Sequence, residues 1–409
     1  MGEKALKKTV YTDRLWTNKN FLLLWGGTTI SSFGMQMYII AIPLLIYDLS
    51  QSALAMSAMR AFEFFPNIFI GIIAGVFVDR INRKRIMHWM SLIQVLSMCG
   101  IIVLLFSSQL MLWHLYLLGF ILSSAGYTFG NAHHSVIPQI VTKDELTSAN
   151  AKLSFVSTLI QMIGPGLAGA LLLTVSYSFT LGIYLFCLFV LFLCVQFFKL
   201  PKEDKIEKKD HSFWKDMKEG IDELLQNKIL LTPTITVLFV NFASSLVIGV
   251  LVFYVKDKLG STSAQIGLMY TISAAGGLLA ATVVSQIRKR YGRGMIYTCC
   301  LLIDFVGMGC LLFAPTWWAI GVALAIRTFS TTVSNIVYFT IRQEFTPNHL
   351  LGRVAGTSSM LMKLTVPFGL FIAGMWAEWL PIRMLFAVSA IIFLLLFIRL
   401  WFHSFRKLA

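Results

Sequence analysis

GVFVDRINRKR, residues 75–85, closes an apolar stretch that runs over residues 53–78. It sets one acid, Asp79, against four bases, Arg80, Arg83, Lys84 and Arg85. A helix ending here presents partial negative charge at its last carbonyls, which suits the bases and disfavours Asp79. The stretch before it is long enough to cross a bilayer, which takes about 20 apolar residues per helix. Similar stretches recur along nearly the whole sequence, twelve in all. With 57% apolar and only 13% charged residues, the 409-residue chain departs far from a soluble domain, where about a quarter of residues are charged. The composition predicts an all-α integral membrane protein.

The placement of charge supports this reading. The net charge of +15 would suit nucleic acid if the bases were gathered on one soluble face. Instead, most of the 34 Lys and Arg residues fall in the two tails and in every second connection, with only Lys256, Lys258 and Arg383 on the opposite loops. This positive-inside pattern predicts cytoplasmic termini and no nucleic-acid partner. Residues 1–20 lack a short apolar core with a small-residue cleavage site, so the first span is expected to serve as its own insertion signal. Cys99, Cys187, Cys194, Cys299, Cys300 and Cys310 fall inside spans without metal-ligand spacing and read as small buried hydrophobes.

A long polar stretch, residues 199–228, divides the spans six and six. The expected organisation is a tail (1–19), a six-helix half (20–198), this linker, a second half (229–402) and a short tail (403–409). Phe213, Trp214, Met217, Ile221, Leu224 and Leu225 recur in the linker at helical spacing, which predicts an amphipathic helix. The halves echo each other. QIVTKDELTSANA from Gln139 aligns with QEFTPNHLLGRVA from Gln343, and GPGLAG at 164–169 meets PFGLFIAG at 367–374. Repeated halves with the substrate between them, near mid-membrane, are the usual construction of secondary transporters.

At this point the residues resemble a known family, the major facilitator superfamily. Residues 75–85 fit its signature after the second helix, roughly G-x-L-x-D-R-x-G-R-[RK], with Gly75, Asp79, Arg80, Arg83 and Lys84 in place. Phe77 stands for the usual Leu and Asn82 for the usual Gly. NKNFLLLWGGTTISSFGMQM, IPQIVTKDELTSANA and TPNHLLGRVAG look most like its twelve-helix drug efflux branch, which includes macrolide and enterobactin-type exporters. The resemblance implies a proton-driven exporter of small molecules, with no cofactor. It also implies that Asp79 latches the halves by meeting the start of helix eleven near Gly352 and Arg353, with Arg83 steadying it. IGPGLAGA partly resembles an antiporter motif. A helix kink at Gly164 and Pro165, with Pro367 as its counterpart, is the plainer reading.

Polar residues are crowded into spans one, four, seven and ten and scarce in six and twelve. Because unsatisfied polar groups are costly in hydrocarbon, spans three, six, nine and twelve are expected on the outside. Gln36, Tyr127, Asn131, Asn241 and Asn335 are candidate cavity residues. Five ionisable residues lie within spans: Arg60, Glu63, Asp304, Arg327 and Lys363. Charges there are costly and ask for a partner, water or a function. Glu63 and Asp304 are candidate proton carriers. The alternatives are that Arg60 holds Glu63 as a fixed ion pair, and that Asp304 is structurally paired. Arg60, Arg327 and Lys363 are candidate substrate contacts, and three cations against two acids weakly disfavour a purely cationic drug. His133 and His134 are open to a titrating or a packing role. The sequence has no HExxH, GxSxG or paired metal spacing, which argues against an enzyme. The expected partners are the lipid bilayer, protons and a small molecule, for a monomer in a bacterial plasma membrane. A metabolite importer or facilitator on the same fold is the alternative.

Overall fold

The computed structural model describes residues 14–68, 82–142, 144–200, 213–347 and 350–408. The first half comprises α1 (Lys19–Ser50), α2 (Ala53–Phe64), α3 (Arg83–Phe106), α4 (Leu112–Ile140), α5 (Leu146–Leu171) and α6 (Tyr177–Phe197). A linker helix, Phe213–Gln226, precedes the second half. That half holds α7 (Lys228–Phe253), α8 (Ser263–Arg290), α9 (Arg293–Phe313), α10 (Trp317–Phe345), α11 and α12 (Ile382–Trp401). Helix α11 is built of two segments, Leu351–Lys363 and Val366–Trp379. Among the described residues, 10 helical spans are long and apolar enough to cross a membrane, with α11 counted as one. With α2 and the more polar α4, this is consistent with the twelve-span reading.

The repeat of the halves is visible in a detail that the sequence alignment did not reach. Asn18 caps α1, accepting from the backbone N–H groups of Asn20 and Phe21, while its amide donates to the Ile140 carbonyl at the end of α4 at 2.6 Å. Asn227 does the same for α7, accepting from Ile229 N–H and donating to the Phe345 carbonyl at the end of α10 at 3.2 Å. In each half one Asn satisfies orphan donors at a helix start and an orphan acceptor at a helix end.

Within the first half, α1 packs on α5 and α6, and α3 on α4 and α6; in the second, α9 packs on α10 and α12, and α12 on α7. The main contacts between halves are α5 with α8 and α2 with the second segment of α11. Helices three, six, nine and twelve thus sit to the outside, as the polar distribution predicted. They turn residues such as Trp89, Leu96, Phe186, Phe197, Phe313 and Leu395 outward. The linker helix docks on the second half: Leu224 is buried, and Gly220 lies so close to Thr357 and the Arg353 carbonyl of α11 that a Cβ would crowd both.

Close helix approach depends on small residues. At Gly34 of α1, an added Cβ would lie 2.8 Å from both Cys187 Cβ and the Tyr184 ring of α6. This gives Cys187 a packing role, and Cys300 is buried as expected, whereas Cys99 and Cys310 are exposed on the outer helices α3 and α9. We expect Gly34→Leu to force α1 and α6 apart and lower stability by about 1–3 kcal/mol, the usual cost of overpacking. Gly182→Leu, at a position with nothing within 4 Å, should be neutral. Thermal unfolding of the two purified variants checks this, and equal melting temperatures would contradict it.

Candidate functional site

The intramembrane charges resolve into two pairs and one remainder. On α2, Arg60 Nη1 lies 3.2 Å from Glu63 Oε2, one helical turn away, and Arg60 Nη2 donates to the Ile39 carbonyl of α1 at 2.9 Å. The pair is mostly buried, at 26% and 11% side-chain exposure. The other carboxylate oxygen, Oε1, is buried without a hydrogen bond. The hydroxyl of Tyr38, an electrostatic neighbour of the Glu63 carboxylate, is likewise buried without a hydrogen bond. Tyr38 was not singled out from the sequence, because a tyrosine among aliphatic residues of a long helix gives no signal of which face it takes.

In the second half, Arg327 Nε of α10 lies 3.8 Å from Asp304 Oδ1 of α9. The Ser330 hydroxyl lies 2.7 Å from Asp304 Oδ2 and 2.6 Å from the Cys300 carbonyl, so its single proton serves one acceptor at a time. Arg327 Nη2 donates to Ser244 Oγ at 2.8 Å, and the guanidinium faces the Phe393 ring. Both charges are buried within one half, among α7, α9, α10 and α12. Arg327, named as a candidate substrate contact, thus points into the helix interior with 7% of its surface exposed.

Lys363 ends the first segment of α11. Pro367 has no N–H to offer the Lys363 carbonyl, which explains the interruption there. The gap is bridged from α7: Asn241 Nδ2 donates to the Met362 carbonyl at 2.8 Å, and Thr365 Oγ1 donates to the Leu238 carbonyl at 2.9 Å. Asn241 is therefore engaged in holding the break. Lys363 Nζ reaches across to the first half and lies 5.5 Å from the centre of the Tyr127 ring of α4.

The remaining candidates fall in several places. Asn131 bonds back to the Tyr127 carbonyl of its own helix, Asn335 is exposed on α10, and Gln36 is buried against Gly164. Gly164 thus packs within the first half, whereas Pro165 belongs to the seam between the halves: its carbonyl sits against Gly267 of α8, and Gly169 sits against the backbone at Ser263. His133 is 7% exposed and stacks on Phe129 at 6.3 Å, while His134 meets it edge-on. Gly75, Asp79 and Arg80 lie outside the described residues. Arg83 opens α3; Lys84 Nζ donates to the Gln196 carbonyl of α6 at 3.1 Å. Gly352 is in open space, and Arg353 forms an ion pair with Glu219 of the linker helix. No group of three or more His, Cys, Asp or Glu among the described residues could hold a metal.

At the end of the bundle away from the chain termini, the halves are closed on each other. Glu378, in the last turn of α11, accepts from Ser52 Oγ at 2.6 Å and from Leu54 N–H at 3.1 Å, at the N-terminus of α2. Tyr47 of α1 donates to Asp257 after α7 at 2.9 Å, and Gly374 of α11 is packed against Ser57 and Leu54. Neither acid stood out in the sequence. Yet Glu378 shares the oddity noted at Asp79, a carboxylate at the wrong end of its own helix.

A sequence profile described as Major Facilitator Superfamily matches residues 24–362 and 234–407. The chain is 22% identical over 372 residues to Macrolide efflux protein A of Streptococcus pyogenes, covering 90% of this chain and 92% of that protein. It is 26% identical over 298 residues to the enterobactin exporter EntS of Salmonella choleraesuis, covering 71% of this chain and 69% of that protein. Among solved structures, a bacterial homologue of the iron transporter ferroportin in an inward-facing state superposes with a TM-score of 0.73 at 18% identity, covering 95% of this chain and 100% of the other. The nucleoside transporter NupG gives 0.74 at 14% identity, covering 94% and 99%. At these identities the structures speak for the fold alone.

The Glu378 contact is testable by spin labels at the exposed residues Leu49 and Leu380, one in each half, in a cysteine-free background. Glu378→Ala should shift the distance distribution severalfold toward the longer, open population. A distribution unchanged from the parent would mean that the carboxylate does not hold this end closed.

Proposed function

This chain belongs to the Major Facilitator Superfamily, a multi-pass membrane transporter, and we propose that within it the protein exports a small amphipathic molecule by proton-coupled alternating access. The likeness to Macrolide efflux protein A along 90% of the chain carries the direction of transport. In this reading the basic, terminal end faces the cytoplasm of a bacterium, following the positive-inside pattern. The closure at Glu378 then lies on the outer side, and substrate enters from the inner side between halves that work as a single monomer. Rocking the halves about a central site alternates its exposure.

Glu63 is the proposed proton carrier. Its bond to Arg60 uses one oxygen, and the second, Oε1, lies buried without a hydrogen bond, with the unbonded Tyr38 hydroxyl a neighbour of the carboxylate. A proton placed there would give the carboxyl a donor to direct at the Tyr38 oxygen and would release Arg60 from its ion pair. Asp304 is the weaker candidate, since Arg327 and Ser330 both engage it inside one half. Asp79 is proposed as the inner counterpart of Glu378, meeting the start of α11 near Gly352 and Arg353 in the outward-open state. In the conformation described here Arg353 pairs with Glu219 of the linker helix.

Transport into inside-out vesicles under an imposed pH gradient, screened with macrolides, siderophores and dyes, tests this reading. Glu63→Gln should lower gradient-driven uptake at least tenfold with normal membrane insertion. Asp304→Asn should instead reduce the yield of folded protein, because it strands Arg327 as a buried charge at a cost of about 3–5 kcal/mol. Full coupling in Glu63→Gln would remove it as carrier. Substrate movement indifferent to the gradient would favour a facilitator. Asp79→Asn should slow turnover and leave insertion intact, and normal turnover would contradict the inner latch.

A further inference from the structure

We propose that the central site selects small amphipathic organic anions, through Lys363 acting with the Tyr127 ring. The inference rests on the export reading above and deepens it by naming the charge class of the substrate. Of the five ionisable side chains set back from the span ends, Arg60, Glu63, Asp304, Arg327 and Lys363, four cancel within their own halves: Arg60 with Glu63, and Arg327 with Asp304. Lys363 is the remainder. Its ammonium meets no carboxylate among the described residues, and its contact is the face of Tyr127, 5.5 Å away. The formal balance of the membrane interior among the described residues is therefore one positive charge.

The position of that charge matters as much as its sign. Lys363 lies 12 residues into the 29-residue span Leu351–Trp379, about 18 Å along the helix from its start and thus close to the mid-plane. Its ring partner belongs to the opposite half, so the pair spans the gap between the halves where alternating access puts a substrate. The carbonyl end of the segment Leu351–Lys363 steadies the ammonium, but a dipole carries no net charge and leaves the balance unchanged. Contact with an aromatic face is a modest attraction. An entering carboxylate or phenolate offers a stronger, charge-assisted hydrogen bond. The anion therefore takes the ammonium from the ring, and the freed Tyr127 face receives the apolar part of the same molecule. An isolated cation in hydrocarbon is costly, and a bound anion removes that cost only while it occupies the site. A cationic drug meets repulsion at the same place.

Fluorescein and rhodamine 6G share a xanthene skeleton and differ in charge, which makes them matched probes. Binding to the purified full-length protein in detergent, read by fluorescence anisotropy, should favour fluorescein at least tenfold. Lys363→Met should abolish the preference, Lys363→Arg should retain it, and Lys363→Glu should reverse it. A preference for rhodamine 6G in the parent protein, or an anion preference that survives Lys363→Met, would overturn the inference. Uptake of both dyes into inside-out vesicles separates the two readings. Lys363-dependent fluorescein binding without gradient-driven uptake would count against export and leave the anion site standing. Gradient-driven uptake of rhodamine 6G over fluorescein would uphold export and overturn the anion site. Binding and transport of neither dye would overturn both.

Discussion

Where α5 crosses α8, the Pro165 carbonyl faces Gly267 with no room for a side chain between them, and the same holds at Gly169 against Ser263 and at Gly374 against Ser57. These seams join the two halves through backbone and small atoms. Without a hydrophobic driving force between helices in lipid, association rests on close packing and hydrogen bonds, and small residues permit both. The larger side chains that anchor the fold lie inside each half. Tyr38 and Tyr184 are buried in the first, and Tyr297, Phe386 and Phe393 in the second.

The charges follow the same division. A pair such as Asp304 and Arg327 holds α9 to α10 and stays within a body that moves as one. Contacts that cross between halves are of another kind: Glu378 at the start of α2, Tyr47 with Asp257, and Lys363 on the face of Tyr127. All three involve groups able to exchange partners, a carboxylate on a helix N-terminus, a phenol on a carboxylate and an ammonium on a ring. The interactions that define the fold are thereby kept apart from those that must break in each cycle.

Much of this was legible in the sequence because a bilayer leaves few options. Span lengths, the sided distribution of Lys and Arg, and the uneven polar content gave the bundle, its halves and the outer position of α3, α6, α9 and α12. The candidate site was legible by residue type but not by pairing. Arg60 and Glu63 are one turn apart on one helix, so their contact could be foreseen. Asp304 and Arg327 sit on different helices, and only the facing of α9 on α10 joins them. Tyr127 and Lys363 are further apart still, and the rotation of α4 and α11 about their axes decides that they meet. Gly164 and Pro165 were read as a kink, whereas their neighbours in the structure also give Gly164 a close approach to Gln36 of α1 and Pro165 a place in the crossing with α8. The reasoning that flagged Asp79 applied equally to Glu378, whose position against its own helix dipole was there to be read.

Helix α1 contains 32 residues, so it is about 48 Å long, well beyond the roughly 30 Å of hydrocarbon it has to cross. Its last turn, with Tyr47 and Asp48, therefore stands in the aqueous boundary, alongside Asp257 and Glu378. Counterions reach that layer, and at physiological salt they screen charge over about 8 Å. The carboxylate contacts that close this end consequently respond to the ionic strength of the medium beyond it, while Arg60 with Glu63 and Arg327 with Asp304 remain insulated in the membrane interior. The composition of the medium at that end thus sets part of the balance between the two conformations, independently of any gradient across the membrane.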